Sequence, residues 1–512
     1  MKYRLAILLV VLLSLITSFL VWGRLNLLPP DSFAYVSGGV SLYNGQGYNN
    51  SNGNPELMFP PGYSFVISLV LRVVPDPITA ARLVCVLASA IAAIPLMLLA
   101  SRFFGNRAGL LFGLAYALMW QRLILSNIAI SESLYLCIVM WATWMWVCER
   151  ERFIWYRSLA IGLMMGGAYL IRPEGLFIAA LFFAGSILLR RYWLMPLIRS
   201  TVISAIVLLF CASPYVLYLH NHTGKWTLST KSDINYKQGI GLSRGMSWTD
   251  MQMNPNSLSD LKESPLDFVK KYFYFVRQEA VDTVKISGFI LSFFMLYGLV
   301  MAIRQRDKRF REYAPVLIPF FIPLLILPVV RTEARLIFVS ILVFLVVAAW
   351  KICETFFAKD STRRLRMLGM ALCVLMIAEI TAISVRSIMH QPPQQNVPEI
   401  VSWLQPQVAR GSKVMVPVGS VGFEVVYRLN GKYRSIPNVG FQQLLALARA
   451  ENVQYLLVPK INAGNLSPEV KAFIDGKIKS PALRGLGKWQ RGQNWVLAYE
   501  ILSNHTVGER RH

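Results

Sequence analysis

"LAILLVVLLSLITSFLVW", residues 5–22, is followed five residues later by "LPPDSFAYVSGGVSLYNGQGY", residues 28–48. The first stretch is apolar and close to the roughly 20 residues that a helix needs to cross a bilayer. It is long for a signal-peptide core and no A-x-A cleavage site follows it, so we expect a retained first span. The second stretch has one acid, Asp31, after a proline pair. This lone carboxylate beside a span is the first candidate functional residue.

The composition of the chain indicates many such spans. Of its 512 residues, 55% are hydrophobic and 15% are charged, with a mean hydropathy of +0.47, whereas about a quarter of residues are charged in globular proteins. A net charge of +25 would suggest nucleic acid in a soluble protein. Here Lys and Arg lie in short clusters between apolar runs, as in the cytoplasmic loops of membrane proteins. We therefore predict a polytopic α-helical membrane protein that does not bind nucleic acid.

Eleven apolar segments are long enough to be candidate transmembrane helices. They are 5–22, 78–101, 108–126, 133–148, 158–171, 174–189, 200–219, 286–303, 313–330, 336–350 and 367–385. A twelfth apolar patch, 63–74, is too short to span easily and ends at a Pro-Asp-Pro sequence. We expect this patch to lie along the membrane interface.

The basic residues predict the orientation of these spans. Loops on the N-terminal side of the membrane hold twenty Lys and Arg residues, whereas the short loops on the other side hold four. By the positive-inside rule the N-terminus is cytoplasmic and Asp31 is outside. We expect a multi-pass protein of the cell inner (plasma) membrane. Residues 1–385 would form its transmembrane domain, with outer loops at 23–77 and 220–285, and residues 386–512 a soluble periplasmic or otherwise extracytoplasmic domain.

The C-terminal segment has the pattern of a small α/β domain. "SKVMVPV" (412–418) and "VQYLLVP" (453–459) are short apolar runs typical of buried strands. "FQQLLALARAEN" (441–452) has the apolar spacing of an amphipathic helix. "KWQRGQNWVLAYEI" (488–501) predicts a closing hairpin with a turn near its Arg-Gly pair.

Asp31 allows two interpretations, which are compatible. Aspartate after a proline pair and before helix-like apolar spacing is typical of an N-cap, where a carboxylate accepts orphan backbone N–H groups. A carboxylate at the outer membrane boundary is also placed to accept a proton from an attacking hydroxyl.

Glu132, Arg172 and Glu174 are further charges inside or beside apolar runs. Glu132 either begins the next helix, where negative charge is favourable, or faces the same outer cavity as Asp31. Arg172 and Glu174 flank a proline within a long apolar run. Charges at membrane depth usually face an interior cavity, although a solvated interfacial turn is the alternative.

Arg331 and Arg335 flank Glu333 in the shortest outer loop. If a helix begins there, the two arginines lie one turn apart on a similar face. They would either anchor the helix end by snorkelling or stabilise a phosphate group as its bond breaks.

No cofactor is predicted from the sequence. The chain lacks a phosphate-binding glycine loop and a nucleotide fingerprint, and no His, Cys, Asp or Glu spacing predicts a metal site. An enzyme on the outer face of the membrane would also have no nucleotide-linked substrates available to it.

Several motifs resemble those of the membrane-embedded GT-C glycosyltransferases, in particular the relatives of protein mannosyltransferases and lipid A aminoarabinose transferases. They are "DSFAY" with "LYNGQGY" (31–48), "FPPGYSF" (59–65), "SNIAISESLY" (126–135), "AYLIRPEGL" (168–176) and "RTEARLIFV" (331–339). Their order and topology cover nearly the whole chain, and the C-terminal α/β domain also fits. Two positions depart from these families. Ser32 follows Asp31 where mannosyltransferases have a second acid, and Phe59 replaces the lysine of a Lys-Pro-Pro motif.

The resemblance implies roles for particular residues. In the family, an acid after the first span is the proposed catalytic base and a tyrosine follows one turn later, here Asp31 and Tyr35. Glu132 would be the second carboxylate of the catalytic site, and Glu132 and Tyr35 together would position the sugar. The expected substrate-binding residues are Tyr35, Tyr63, Arg172, Glu174, Arg331 and Arg335, with the arginines neutralising the phosphate.

The sequence and the resemblance thus predict an inverting glycosyltransferase of cell-envelope glycan, glycolipid or glycoprotein synthesis. It would move a sugar from a polyprenyl-phosphate donor to a hydroxyl of a glycan, lipid or protein acceptor, among membrane lipids. Attack by the acceptor hydroxyl on the side opposite the departing phosphate would invert the configuration at the anomeric carbon. The alternatives are a flippase or transporter of lipid-linked sugars, and a family member that has lost its activity.

Overall fold

The structure is a computed structural model. It describes residues 2–25, 28–149, 153–188, 194–246, 251, 261, 263–358, 360–390, 396–417, 420–460 and 466–502. The helices that precede the C-terminal domain are α1 (Lys2–Val21), α2 (Pro30–Tyr43), α3 (Gly62–Val70), α4 (Pro77–Phe104), α5 (Asn106–Leu118), α6 (Trp120–Asn127), α7 (Glu132–Glu149), α8 (Trp155–Ile171), α9 (Glu174–Leu188), α10 (Leu194–Thr223), α11 (Ser232–Ser243), α12 (Pro265–Arg304), α13 (Lys308–Val330), α14 (Ala334–Phe357) and α15 (Arg363–Met389).

All eleven predicted apolar segments are helical, and the chain is a multi-pass membrane protein. Within the described residues, seven helices are long and apolar enough to cross a membrane, namely α1, α4, α10, α12, α13, α14 and α15. The number is eight if α5 and α6, which meet at a 55° bend, form one broken span. A count of eleven spans therefore stays a prediction. Helix α14 is almost completely buried and forms the centre of the bundle, whereas α1, α10 and α15 lie at its periphery.

Helix α12 is broken where the predicted span 286–303 begins. Gly288 has a φ of 79°, which only glycine adopts readily. The carboxylate of Glu379 on α15 accepts hydrogen bonds from the N–H groups of Phe289 (2.6 Å) and Ile290 (3.1 Å). Glu379 therefore caps the second half of α12, as an N-terminal acid would. The first half lies in the predicted polar loop 220–285, which also contains α11.

The predicted interfacial patch at 63–74 begins as helix α3, which packs on α2. Two glycines of α2 allow this contact. A Cβ atom at Gly39 would lie 2.7 Å from Ile67 Cγ2, and one at Gly38 would lie 3.0 Å from Ser64 Oγ, both on α3. On its other side α3 exposes Phe65. Close packing of α2 on α3 fixes the direction in which α2 leaves the first span.

The C-terminal segment forms an α/β domain around a five-stranded mixed sheet. Its elements are α16 (Val397–Leu404), β1 (Lys413–Val416), α17 (Ser420–Arg428), β2 (Lys432–Ser435), α18 (Phe441–Ala450), β3 (Tyr455–Pro459), α19 (Pro468–Ile474), β4 (Leu483–Arg491) and β5 (Asn494–Ile501). The strand order is β2-β1-β3-β5-β4. β1 pairs in parallel with β2 and β3, whereas β5 is antiparallel to β3 and β4. Gly492, with a φ of 58°, lies in the turn of the predicted hairpin.

Helix α17 joins this domain to the membrane domain through an aromatic contact. The rings of Phe423 and Phe33 stack with centroids 5.7 Å apart, and Tyr427 lies 5.8 Å from Phe33. Arg428 lies 3.9 Å from Asp76, just before α4. The α/β domain therefore docks on α2, the helix that carries Asp31.

Candidate active site

Asp31 lies in the first turn of α2 but does not cap it. Pro30 occupies the first helical position, so the N-cap residue is Pro29, which forms no side-chain capping bond. The N-cap interpretation of Asp31 is therefore wrong. Its carboxylate instead meets two cations from distant parts of the chain. Arg335 Nη1 lies 3.3 Å from Oδ2, and Lys231 Nζ lies 3.7 Å from Oδ1.

These pairs belong to a chain of alternating acids and bases that joins five outer segments. Its other contacts are Arg335 to Glu132 (3.4 Å), Arg172 to Glu132 (2.7 Å), Arg172 to Glu174 (3.2 Å), Arg335 to Glu333 (2.6 Å) and Arg331 to Glu333 (2.7 Å). The structure thus brings together Asp31, Glu132, Arg172, Glu174, Arg331 and Arg335, which the sequence singled out separately. Four acids and four bases neutralise one another in this network.

Arg335 is the centre of the network because it contacts three carboxylates. It lies in the first turn of α14, and Glu333 is the N-cap residue of that helix. Through its separate N–H groups it reaches Glu333, Asp31 and Glu132 at once. A planar guanidinium has several donors in fixed directions and suits this arrangement. The two acids beside Arg335 that the sequence predicted as catalytic are held by the same cation.

Lys231 was missed by the sequence analysis. It directly precedes α11 in the long outer loop, and its ammonium lies 3.9 Å from the centre of the Phe59 ring. Within the described part of the chain, this ammonium makes no hydrogen bond, since 3.7 Å to Asp31 exceeds hydrogen-bond distance. A single lysine in a polar loop gives no sequence signal. Only its position over Phe59, beside Asp31, distinguishes it.

The setting of Asp31 favours its charged form. Burial alone would raise the pKa of the Asp31 carboxyl, but the charges of Lys231 and Arg335 outweigh burial and hold this pKa below its ordinary value. For Lys231, burial and the neighbouring Arg335 outweigh the attraction of Asp31, so the pKa of its ammonium is lowered. Asp31 is therefore ionised at neutral pH and able to accept a proton.

The network forms one end of a pocket of about 310 Å³. The charged end contains Asp31, Glu132, Arg172, Glu174, Lys231, Arg331 and Arg335. The other end is apolar and lies between α9, α13 and α14, with Phe177, Ile178, Pro323, Ile326, Leu327, Leu336 and Val339 in its wall. Phe177 and Ile326 also reach the outside of the bundle, where they are 37% and 41% exposed. The pocket can hold a molecule with an anionic or polar head and an apolar chain.

The two tyrosines expected to bind substrate differ in position. Tyr35 lines the pocket, and its hydroxyl shares a hydrogen bond with Ser131 (3.0 Å). Tyr63 is completely buried behind Tyr35, with the two rings 5.2 Å apart, and does not line the pocket. Its hydroxyl donates to the carbonyl of Ala81 (2.9 Å) in α4. Tyr63 therefore lies behind the pocket lining and supports the pocket wall.

The segment between α10 and α12 covers the charged end. Ser229, Lys231, Ser232 and Asn235 all line the pocket. Arg331 Nη1 donates to Gln238 of α11 (2.8 Å), so this helix is tied to the loop before α14. Within the residues that the structure describes, no group of three or more His, Cys, Asp and Glu side chains is arranged to hold a metal ion.

Comparison with known proteins agrees with the sequence motifs. Residues 59–218 match the family of dolichyl-phosphate-mannose-protein mannosyltransferases. The matched range includes Glu132, Arg172 and Glu174 of the network. No curated protein sequence matches the chain significantly.

Solved structures share the fold. The ArnT protein of Cupriavidus metallidurans, solved bound to undecaprenyl phosphate, is similar over 96% of this chain and 97% of its own, with a TM-score of 0.62 and 13% identity. The archaeal oligosaccharyltransferase AglB of Archaeoglobus fulgidus, solved with an inhibitory peptide and a dolichol-phosphate, is similar over 89% of this chain and 69% of its own, with a TM-score of 0.64 and 12% identity.

The first of these structures aligns with this chain over nearly the whole length of both. The alignment therefore includes the helical bundle and the α/β domain that follows it. The range that matches the family, residues 59–218, includes the pocket-lining residues from Phe59 to Ile178. The family match over residues 59–218 and the fold shared over nearly the whole chain are those of membrane glycosyltransferases, in agreement with the GT-C motifs of the sequence.

Proposed function

We propose that this glycosyltransferase moves a sugar from a polyprenyl-phosphate carrier to an acceptor hydroxyl on the non-cytoplasmic face of the inner membrane. The observation that carries the proposal is the junction of a charged network containing Asp31 with an apolar pocket end that reaches the lipid-facing surface. A polyprenyl phosphate has the same two parts, an anion and a long apolar chain. The similarity to proteins solved with undecaprenyl phosphate and dolichol-phosphate supports this choice.

Asp31 acts as the general base in this proposal. Its Oδ2 is held by Arg335, whereas Oδ1 makes no hydrogen bond within the described residues and can accept the proton of the acceptor hydroxyl. The hydroxyl oxygen attacks the anomeric carbon as the bond to the phosphate oxygen breaks. The electron pair leaves with polyprenyl phosphate, and attack from the opposite side inverts the anomeric configuration.

The leaving phosphate is stabilised by cations of the network. Arg172 and Arg335 each contact at least two carboxylates, which hold them in fixed positions. The ammonium of Lys231 has no hydrogen-bond partner in the described structure and is the cation with most capacity to bind an added phosphate. Fixed charges aimed at the charge that develops in the transition state contribute most to such reactions. No metal ion or other cofactor takes part in this scheme.

The acceptor approaches from the side of the α/β domain. That domain docks on α2 through Phe33, at the helix that begins beside Asp31. We assign the acceptor-binding role to this domain. The acceptor is a glycan, lipid or protein, and the reaction belongs to cell-envelope synthesis.

The test compares, by mass spectrometry, the envelope glycans and lipids of cells that carry the wild-type protein, no protein, or the Asp31→Asn variant. Loss of one sugar increment in both altered strains, at equal protein levels, supports transfer through Asp31. The control is Asp307→Asn, which changes an aspartate that caps α13 outside the pocket. An Asp31→Asn strain that keeps the increment lost by the null strain would refute the role of Asp31.

A further inference from the structure

Helix α12 is longer than one membrane crossing requires. Its 40 residues would extend about 60 Å at about 1.5 Å per residue, whereas the hydrocarbon core of a bilayer is about 30 Å thick. The break at Gly288 divides the helix into a first half, residues 265–287, and a second half that contains most of the predicted span. Because the helix is kinked at the break, the first half need not follow the direction of the span.

The first half of α12 exposes a stripe of apolar side chains. Its members recur every three or four residues, so they share one face of the helix. They are Leu266, Val269, Phe273, Val276, Ala280 and Val284. Phe273 is 65% exposed, and exposed apolar surface resumes directly after the break with Phe289, which is 67% exposed. The stripe is therefore continuous along the chain with the lipid-facing surface of the spanning half.

Basic residues lie along one edge of this stripe. Three exposed cations each follow a member of the stripe by one position, namely Lys270, Arg277 and Lys285. A step of one residue turns the helix by about 100°, so all three lie on the same side of the stripe. Within the described part of the chain Lys270 and Arg277 make no ion pair, and Lys285 lies 3.7 Å from Asp282.

The acids of the first half do not balance this charge. Asp267 is paired with Arg244 at 3.1 Å. Asp282 is 6% exposed, and Glu279 accepts a hydrogen bond from Thr332 (3.1 Å). The exposed face thus combines an apolar stripe with excess positive charge.

The combination of an apolar stripe and a basic edge identifies the kind of surface that fits this face. Helices of this kind lie in the membrane interface, where the apolar face enters the acyl boundary and the basic residues attract anionic lipids. A second copy of the chain fits poorly, because a symmetric contact through this face would bring the same cations together. A bilayer that contains anionic lipid complements both the stripe and the charge.

The opposite face of the first half is fixed to the segment that covers the pocket. Lys271 is completely buried, and its ammonium lies 2.9 Å from Glu263 and 4.0 Å from the ring centre of Tyr236 on α11. The hydroxyl of Tyr236 also donates to Glu263. Helix α11 directly follows Lys231 and carries Asn235, both of which line the pocket. One helix therefore has an exposed apolar and basic face on one side and the pocket cover on the other.

We propose that the first half of α12 lies in the membrane interface beside the charged end of the pocket. Its apolar stripe enters the lipid, and Lys270, Arg277 and Lys285 bind the headgroups of anionic phospholipids. This contact holds α11, and with it the cover of the pocket, at a fixed level relative to the bilayer. The inference adds a lipid-binding surface to the protein and does not depend on the proposed reaction.

The experiment replaces Phe273 by the photoreactive amino acid benzoylphenylalanine in the full chain. The protein is reconstituted into vesicles of equal amounts of phosphatidylcholine and phosphatidylglycerol, and mass spectrometry identifies the crosslinked molecules after illumination. We expect phospholipid to be crosslinked, with phosphatidylglycerol at least about fivefold more frequent than phosphatidylcholine, the preference that one basic residue near a membrane surface provides.

Two positions serve as controls for the probe. Leu296 is 63% exposed in the spanning half of α12, and the same probe there should crosslink both lipids equally. Leu447 is 40% exposed on α18 of the α/β domain, and the probe there should crosslink no lipid. These controls separate an interfacial contact from general exposure to lipid or water.

Charge variants test the basic edge. Lys270→Gln combined with Arg277→Gln should bring the two lipids close to equal frequency at position 273. Lys270→Arg combined with Arg277→Lys keeps both charges and should retain the preference. All four substitutions change exposed side chains that have no ion pair in the described structure, so each variant should unfold at the wild-type temperature.

Three results would overturn the inference. The first is a crosslink at position 273 to protein, including a second copy of the chain, or to no lipid at all. The second is equal crosslinking of the two lipids in the unaltered chain. The third is an unchanged preference in the glutamine variant. None of these results bears on transfer through Asp31, which is tested separately.

Discussion

Replacing Arg335 by methionine removes the central charge of the network while keeping most of the side-chain volume. Arg335 contacts Glu333 at 2.6 Å, Asp31 at 3.3 Å and Glu132 at 3.4 Å. Each of these carboxylates keeps one other cation after the change. These are Arg331 for Glu333, Lys231 for Asp31 and Arg172 for Glu132.

The remaining pairs limit the effect on stability. Stranding a buried charge costs about 3–5 kcal/mol, whereas an exposed ion pair contributes about 0–1 kcal/mol. Arg335 is 24% exposed and no acid loses its last cation. We therefore expect the free energy of unfolding to fall by about 2 kcal/mol, between those limits. The variant should fold and be available for kinetic measurement.

The effect on pH dependence follows from the sign of the lost charge. In the wild type, Lys231 and Arg335 together outweigh burial and lower the pKa of Asp31. Without Arg335, the pKa of Asp31 rises and less of the base is ionised at a given acidic pH. The acid limb of kcat/KM should therefore move to higher pH. At the optimum, kcat should fall roughly 10²–10³-fold, as when one fixed electrostatic donor is removed from an active site.

The assay follows release of undecaprenyl phosphate from the sugar donor across a range of pH. Arg434→Met is the matched control, because Arg434 pairs with Glu451 within the α/β domain, outside the pocket. It should keep the wild-type profile. An acid limb that stays in place or moves to lower pH in Arg335→Met would refute the electrostatic link between Arg335 and Asp31.

Three further predictions concern packing. Gly39→Ala should lower the free energy of unfolding by about 1–3 kcal/mol, because the added Cβ would lie 2.7 Å from Ile67. Gly167→Ala is the control and should not lower it, because its Cβ would meet nothing within 4 Å. Glu379→Ala should speed hydrogen exchange at the two amides that Glu379 caps, and Glu379→Gln, which keeps an acceptor oxygen, should do so less. Phe423→Ala should raise the rate of hydrogen exchange in α2 and lower transfer activity, because the docking contact with Phe33 is lost. Binding of undecaprenyl phosphate should not change. An unchanged exchange rate in α2 would contradict the docking role.

The helices could be predicted because their signal is local. A long apolar run must satisfy its backbone hydrogen bonds within itself in a membrane, so run length alone indicates a helix. Four of the five strands of the α/β domain were predicted from short apolar runs and a hairpin pattern, whereas β2 (Lys432–Ser435) was not. The break at Gly288 was not predicted, because its cap, Glu379, lies 90 residues away in sequence.

The site was predicted in part because charges at membrane depth are rare. Asp31, Glu132, Arg172, Glu174, Arg331 and Arg335 stood out against apolar surroundings, and all of them line the pocket. Lys231 lies among many polar residues and did not stand out. Tyr63 was chosen for its motif, but its hydroxyl is used by the carbonyl of Ala81.

The network also links proton transfer to departure of the phosphate. In the proposed reaction, Asp31 is ionised at the start and shares Arg335 and Lys231. When Asp31 takes the acceptor proton it becomes neutral, and its attraction for both cations falls. At the same moment the phosphate gains negative charge as its bond to the sugar breaks. The cations released by Asp31 are then available to the leaving group, within the same pocket and without movement of the backbone. A base paired with two cations is therefore suited to this reaction, although the pairing lowers its basicity.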